Sequence, residues 1–194
     1  MSTDTGLIGN LGDIPDLGGI GDDRPEFTPF EDGWYAGTIL AKREFTDKNG
    51  NDRVFESGDG VSQRGDSRNI RLQVELTRAS DGKKLNVSTL VNYNPNDLTQ
   101  EAIQAVLTHK EKVNTEGAEW GDLFRSFMTL TRLGKLQKIA GVRQFQRSAE
   151  GGLDLTPLYG KSAYFRIKPD TRNPQYKEIA DFQDYKPKRA GMVL

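Results

Sequence analysis

Three observations predict a mainly β fold with a helical insertion, an α+β chain built as one domain. A clean apolar–polar alternation runs from Asn69 to Tyr93, helical periodicity follows it, and β alternation returns at Ala163. The length of 194 residues favours a single domain with appendages, and the part beyond the first 33 residues is large enough to bury its own core.

The first strand opens at Gly33-Trp34-Tyr35-Ala36-Gly37-Thr38-Ile39-Leu40-Ala41, with Tyr35, Gly37, Ile39 and Ala41 on one face. From Thr46 to Ser67 the composition collapses to Asp, Gly, Asn, Ser and Arg around a Val54-Phe55 pair. A segment of that length predicts a functional loop or a flexible β-arm. Ile70, Leu72, Val74 and Leu76 then face one way and Asn69, Arg71, Gln73, Glu75 and Thr77 the other. Ala79-Ser80-Asp81-Gly82-Lys83 carries hairpin turn chemistry, and the partner strand returns through Leu85, Val87, Thr89, Val91 and Tyr93.

Pro95-Asn96-Asp97 is a helix-start cluster, with Leu98, Ala102, Ile103, Val106 and Leu107 at helical spacing behind it. A second helix carries Trp120, Leu123, Phe124, Phe127, Met128, Leu130 and Thr131, continues past Gly134 through Leu136, Ile139 and Ala140, and ends at Gly141. Trp120, Phe124 and Phe127 are expected in the core, and His109 at an exposed helix end. Ala163, Phe165 and Ile167 then point inward, Tyr164, Arg166 and Lys168 outward, and a last strand lies near Tyr176 to Tyr185. Five antiparallel strands interrupted by a helical insert at 96–141 suit a small Greek-key barrel of the oligonucleotide-binding (OB) type. The expected organisation is an acidic, Gly-rich flexible tail at 1–32, an OB-like domain at 33–187 and a short C-terminal tail at 188–194.

Charge is segregated. Residues 1–33 hold eight acids against one base, Arg24, for a net −7, and the remainder holds 26 Lys and Arg against 20 Asp and Glu, a net +6 under a total of −1. A basic body concentrates polyanions, and an acidic tail can compete for the same surface. Within that tail Ile8, Leu11, Ile14, Leu17 and Ile20 recur every third position among Gly and Asp, a pattern suited to docking.

With no Cys and only His109, thiolate zinc sites, cysteine nucleophiles and multi-histidine metal sites are excluded. No enzymatic activity is expected. Gly160-Lys161-Ser162 is not a phosphate-binding loop, because Leu155 stands where that loop needs Gly. Asp47, Asn49 and Asn51 do not complete a calcium loop. No apolar run approaches a membrane span and no signal peptide is evident, so a soluble protein of the host cytoplasm without membrane contact is expected.

Outward bases and aromatics remain. Single-stranded nucleic acid needs cations for phosphates and flat side chains for bases. Arg71, Gln73, Lys84, Asn86, Tyr164, Arg166 and Lys168 fall on outward strand positions; Arg43, Arg53, Arg64 and Arg68 flank or occupy the arm; Trp34, Phe55 and Lys161 complete the candidate set.

The Gly33, Tyr35, Gly37, Ile39 opening, the helix end at Leu136, Ile139, Ala140 and Gly141, and the block Leu158-Tyr159-Gly160-Lys161-Ser162-Ala163-Tyr164-Phe165-Arg166-Ile167 followed by Tyr176-Lys177-Glu178-Ile179 resemble phage-encoded single-stranded DNA-binding proteins. The resemblance spans roughly residues 33 to 187. It implies a barrel that coats single strands during phage DNA replication or recombination, without metal or nucleotide cofactor. Residues 1–25 are then expected to recruit replication or recombination proteins, and homo-oligomers are compatible with this reading. The alternative expectation is a phage structural or adaptor protein that assembles through its tail and long loop.

Overall fold

The computed structural model describes residues 29–47, 49–62, 65 and 67–186. Residues 1–28 of the expected tail, Arg64, and the C-terminal tail lie outside the described residues.

The chain forms β1 (Gly33–Leu40), β2 (Lys42–Thr46), β3 (Asp52–Glu56), β4 (Gly58–Val61), β5 (Arg68–Thr77), β6 (Lys84–Tyr93), α1 (Gln100–Glu116), α2 (Leu123–Ala140), β7 (Ser162–Pro169) and β8 (Lys177–Gln183). Six strands make one antiparallel sheet in which β1 lies between β5 and β7, β8 pairs with β7, and β6 pairs with β5. β1 and β4 share one edge of β5, against Gln73–Thr77 and Arg68–Arg71 respectively. β2 and β3 pair only with each other, as a two-stranded arm. The architecture is mainly β with two helices. β6 and β8 approach one another without a ladder, so the sheet does not close into a barrel, and it has six strands rather than the expected five.

The inner face is apolar because alternation puts every second residue there. Ile70, Leu72, Val74 and Leu76 of β5, Val87, Val91 and Tyr93 of β6, and Ala163, Phe165 and Ile167 of β7 are buried, and α2 covers them with Leu133, Leu136, Ile139 and Ala140. Each large side chain withdrawn from water there contributes about 1.5–3 kcal/mol. Gly37 sits where β1 is pressed between its neighbours: a Cβ would lie 2.7 Å from Leu76 Cδ2 and 3.0 Å from Phe165 Cδ2.

Four expectations are corrected. Phe30, assigned from sequence to the tail, is buried in the core against Tyr35, with the guanidinium of Arg78 5.0 Å from its ring. The cluster at Pro95 forms a short 3-10 turn, and α1 begins one step later, capped by Thr99, whose side chain accepts from the Ala102 amide. Only the second half of α2 reaches the core; Trp120 and Phe127 are half-buried and Phe124 is 51 % exposed. His109 lies inside α1 rather than at its end, and its Nε2 is 2.8 Å from the Glu119 carbonyl oxygen. A carbonyl only accepts, so Nε2 carries the proton. Gly141 ends α2 in the left-handed conformation (φ 73°) that favours glycine.

Candidate functional site

Pairing register places outward side chains in rows across the sheet. One row runs Lys84, Thr77, Ala36, Tyr164, Gln183, and another runs Trp34, Arg166, Asp181. Lys84 and Tyr164 are three interstrand spacings apart, about 14 Å. Between them the surface is low, with Ala36, Thr38 and Ser162 on β1 and β7. Asn86 and Arg166 are exposed, and Trp34 and Tyr164 are half-buried. Arg71 is exposed beside the glycines of β4, and Lys161 is exposed where β7 begins. Lys84 is engaged by Glu75 (2.8 Å) and Lys168 by Glu178 (3.0 Å); such surface pairs are weak and exchange readily for other anions.

The arm is two-sided. Arg43 opposes Phe55 and Phe45 opposes Arg53, so these four share one face, while Lys42, Glu44, Thr46, Asp52, Val54 and Glu56 occupy the other. The two phenylalanine rings stack at 5.1 Å, and the Arg43 guanidinium lies 5.2 and 5.0 Å from their centroids. Both rings are more than one-third exposed. The turn is set by Asp47, whose carboxylate accepts from the amides of Asn49 and Asn51 and from Arg53 Nε. Those bonds, the Asn51 amide foremost, hold its carboxyl below the usual range.

Phe45 was not anticipated as a site residue. Its signal was the repeated triplet Arg43-Glu44-Phe45 and Arg53-Val54-Phe55, which an antiparallel pairing brings onto one face, with Arg43 over both rings and Arg53 held by Asp47.

Two candidates are corrected. Gln73 is outward by register but only 1 % exposed, because the root of the arm covers it. Ser57 Oγ donates to the Leu40 carbonyl and accepts from the Gln73 amide, and Ser88 Oγ donates to Gln73 Oε1. Gln73 Nε2 and, at the start of the arm, Arg43 Nε are buried donors with no acceptor among the described residues. Arg68, expected as a mobile arm cation, is buried beside Asp59, whose side chain is 1 % exposed. Asp59 accepts from Arg68 Nε (3.1 Å), the Leu153 amide (2.6 Å) and the Tyr93 hydroxyl. Burial, then the hydrogen bond to Asp59, raises the Tyr93 hydroxyl pKa. This cluster fixes β4 to β5, β6 and the segment after α2. Gly152 lies close beside it: a Cβ there would press on the Arg68 guanidinium and lie 2.9 Å from Asp59 Oδ2, so one of the pair would have to shift.

The structure therefore brings Trp34, Tyr164, Arg166, Lys84 and Asn86 onto one face of the sheet, groups Arg43, Arg53 and Phe55 with Phe45 on the arm, and removes Gln73 and Arg68 from contact with solvent. No helix among the described residues is long and apolar enough to cross a membrane. Neither a protein-family model nor a curated protein matches the chain.

Proposed function

We propose that the protein binds single-stranded DNA without sequence preference, in phage DNA replication or recombination, and has no enzymatic activity of its own. The observation that carries this reading is the arm face on which two arginines and two exposed, stacked phenylalanines alternate. Rings of that kind stack on bases of any sequence, and guanidinium groups donate to phosphate oxygens.

An OB-type fold is part of the proposal. The order β6, β5, β1, β7, β8, with a helical insert between β6 and β7, is that of an OB barrel whose final ladder is unmade. In that frame the arm is the loop between the first two barrel strands, one of the loops that line OB ligand grooves. The likeness of 33–187 to phage single-strand binders supports the same reading. Residues 1–25 would recruit replication or recombination proteins or compete with DNA, in the host cytoplasm.

Titration of a labelled oligonucleotide at several salt concentrations tests the proposal. The logarithm of the affinity should fall linearly with log salt, with a slope of about 0.7 per phosphate neutralised. Absence of affinity for every single strand tried at low salt would overturn it. The second reading is a phage structural or adaptor protein that assembles through its tail and long loop; the exposed apolar residues of the helices favour a protein partner, and defined assemblies in light scattering without nucleic acid would support it.

A further inference from the structure

The first half of α2 is apolar and only partly covered. Leu123, Phe124, Phe127, Met128 and Leu130 all fall within it, and none is buried; Phe124 is 51 % and Met128 39 % exposed. Phe127 stacks on Trp120 at 4.1 Å, and Trp120 meets the His109 ring at 5.4 Å, so the hairpin of α1 and α2 presents a firm aromatic base. α1 itself buries only Val106. The charge of this surface is distinctive: α2 carries Arg125, Arg132, Lys135 and Lys138 and no acid, with Glu119 and Asp122 lying before its first turn. Lys135 is bound to Asp181, which leaves Arg125, Arg132 and Lys138 around the apolar stripe. Phe124 and Met128 are the exposed apolar residues of α2, and bases predominate beside them along the helix, with Glu119 and Asp122 at its start; neighbouring exposed apolar residues of this kind mark a docking surface.

We propose that residues 7–20 of this chain dock on the outer stripe of α2 formed by Phe124 and Met128, with Arg125 and Arg132 facing Asp13 and Asp16. The segment has the complementary pattern: Leu7, Ile8, Leu11, Ile14, Leu17 and Ile20 supply apolar side chains at short intervals, and its charged residues are both acidic. Few bulky residues lie elsewhere in the first 28, so these are the ones available for burial. The chain enters the domain at Pro29, whose carbonyl accepts from Arg78, with Phe30 buried next to it. From there Ile20 can reach about 30 Å and Ile8 about 70 Å at full extension. A domain of this size is roughly 40 Å across, so the stripe is within reach of the same chain and of a neighbouring copy. The site is separate from the sheet face and the arm, and the inference stands independently of nucleic-acid binding.

The absence of cysteine makes the test direct. Full-length chains carrying Ile14→Cys with Met128→Cys, or Ile14→Cys with Asn92→Cys on the outer face of β6, are oxidised with glutathione disulfide and resolved without reductant. The Met128→Cys pair should crosslink about tenfold faster, because a docked segment has a higher effective concentration than a merely tethered one. Linked dimers in place of internally linked monomers would equally support the site, occupied by the neighbouring copy. Equal rates, or faster capture at Asn92→Cys, would overturn it in favour of the sheet face. Arg125→Glu with Arg132→Glu should lower the first rate to the second, and a rate unmoved by that reversal would also overturn the proposal.

Discussion

Two antiparallel hairpins in this molecule are held by different physics. β5 and β6 are ten residues each, and their inner residues carry much of the core. β2 and β3 are five residues each, and all ten residues but the half-buried Arg43 are exposed. Each turn depends on an aspartate, Asp81 in the long hairpin and Asp47 in the arm, but only the first turn is tied to the core, through buried Arg78. The arm is kept in shape by its turn and its ring contacts, with no core of its own. Two exposed phenylalanines on such an element are therefore expendable for folding, which makes stability and the proposed binding separable by mutation.

The largest effect should come from the long hairpin. Leu72→Ala is expected to cost about 2–5 kcal/mol of folding stability, read by denaturant unfolding. A loss as small as that of an arm substitution would erase the distinction. Next in size, Phe45→Ala and Phe55→Ala should each weaken oligonucleotide binding by about 1–3 kcal/mol, the range of one stacked base. Unfolding free energies of both variants should stay within about 0.5 kcal/mol of the parent, as for other surface changes. Unchanged affinity would detach the arm from function; a large stability loss would show that it is structural after all.

The smallest effect concerns the turns. The bidentate contact with Arg78 lowers the Asp81 carboxyl from 3.8 to about 2. A carboxyl depressed on folding adds stability above its unfolded pKa and loses it as pH falls through its folded value. Asp81→Asn should thus lower the melting temperature near neutral pH, with the gap to the parent narrowing below about pH 4 and closing near pH 2. A gap independent of pH would show that Asp81 acts through packing rather than charge.

What the sequence made legible was local. Alternation through Leu72 and Val87, the Asp81-Gly82 turn, the β7 faces and the stop at Gly141 each depend on residues close in the chain. Burial imposed by remote segments was not legible. Gln73 and Arg68 are covered by the root of the arm and the segment around Gly152, which no period announces. Phe30 sits in tail-like composition yet fills a core position. Helical spacing identified the apolar stripe of α2 without telling which half the sheet would cover. Of the candidate site, the outward sheet residues followed from pleating; the pairing of Arg43 with Phe55 and of Phe45 with Arg53 needed the register across the turn, and Phe45 was overlooked for that reason.

That register has one more consequence. Because Arg43 corresponds to Arg53 and Phe45 to Phe55 when the two strands are exchanged, the arm face has a local two-fold axis between its strands. A polymer laid across it meets charge and ring in the same succession from either end. The succession of residue types has no sense of direction; Arg43 lying over both rings while Arg53 is held by Asp47, and the asymmetric sheet beneath, are what can impose a preference for one strand polarity.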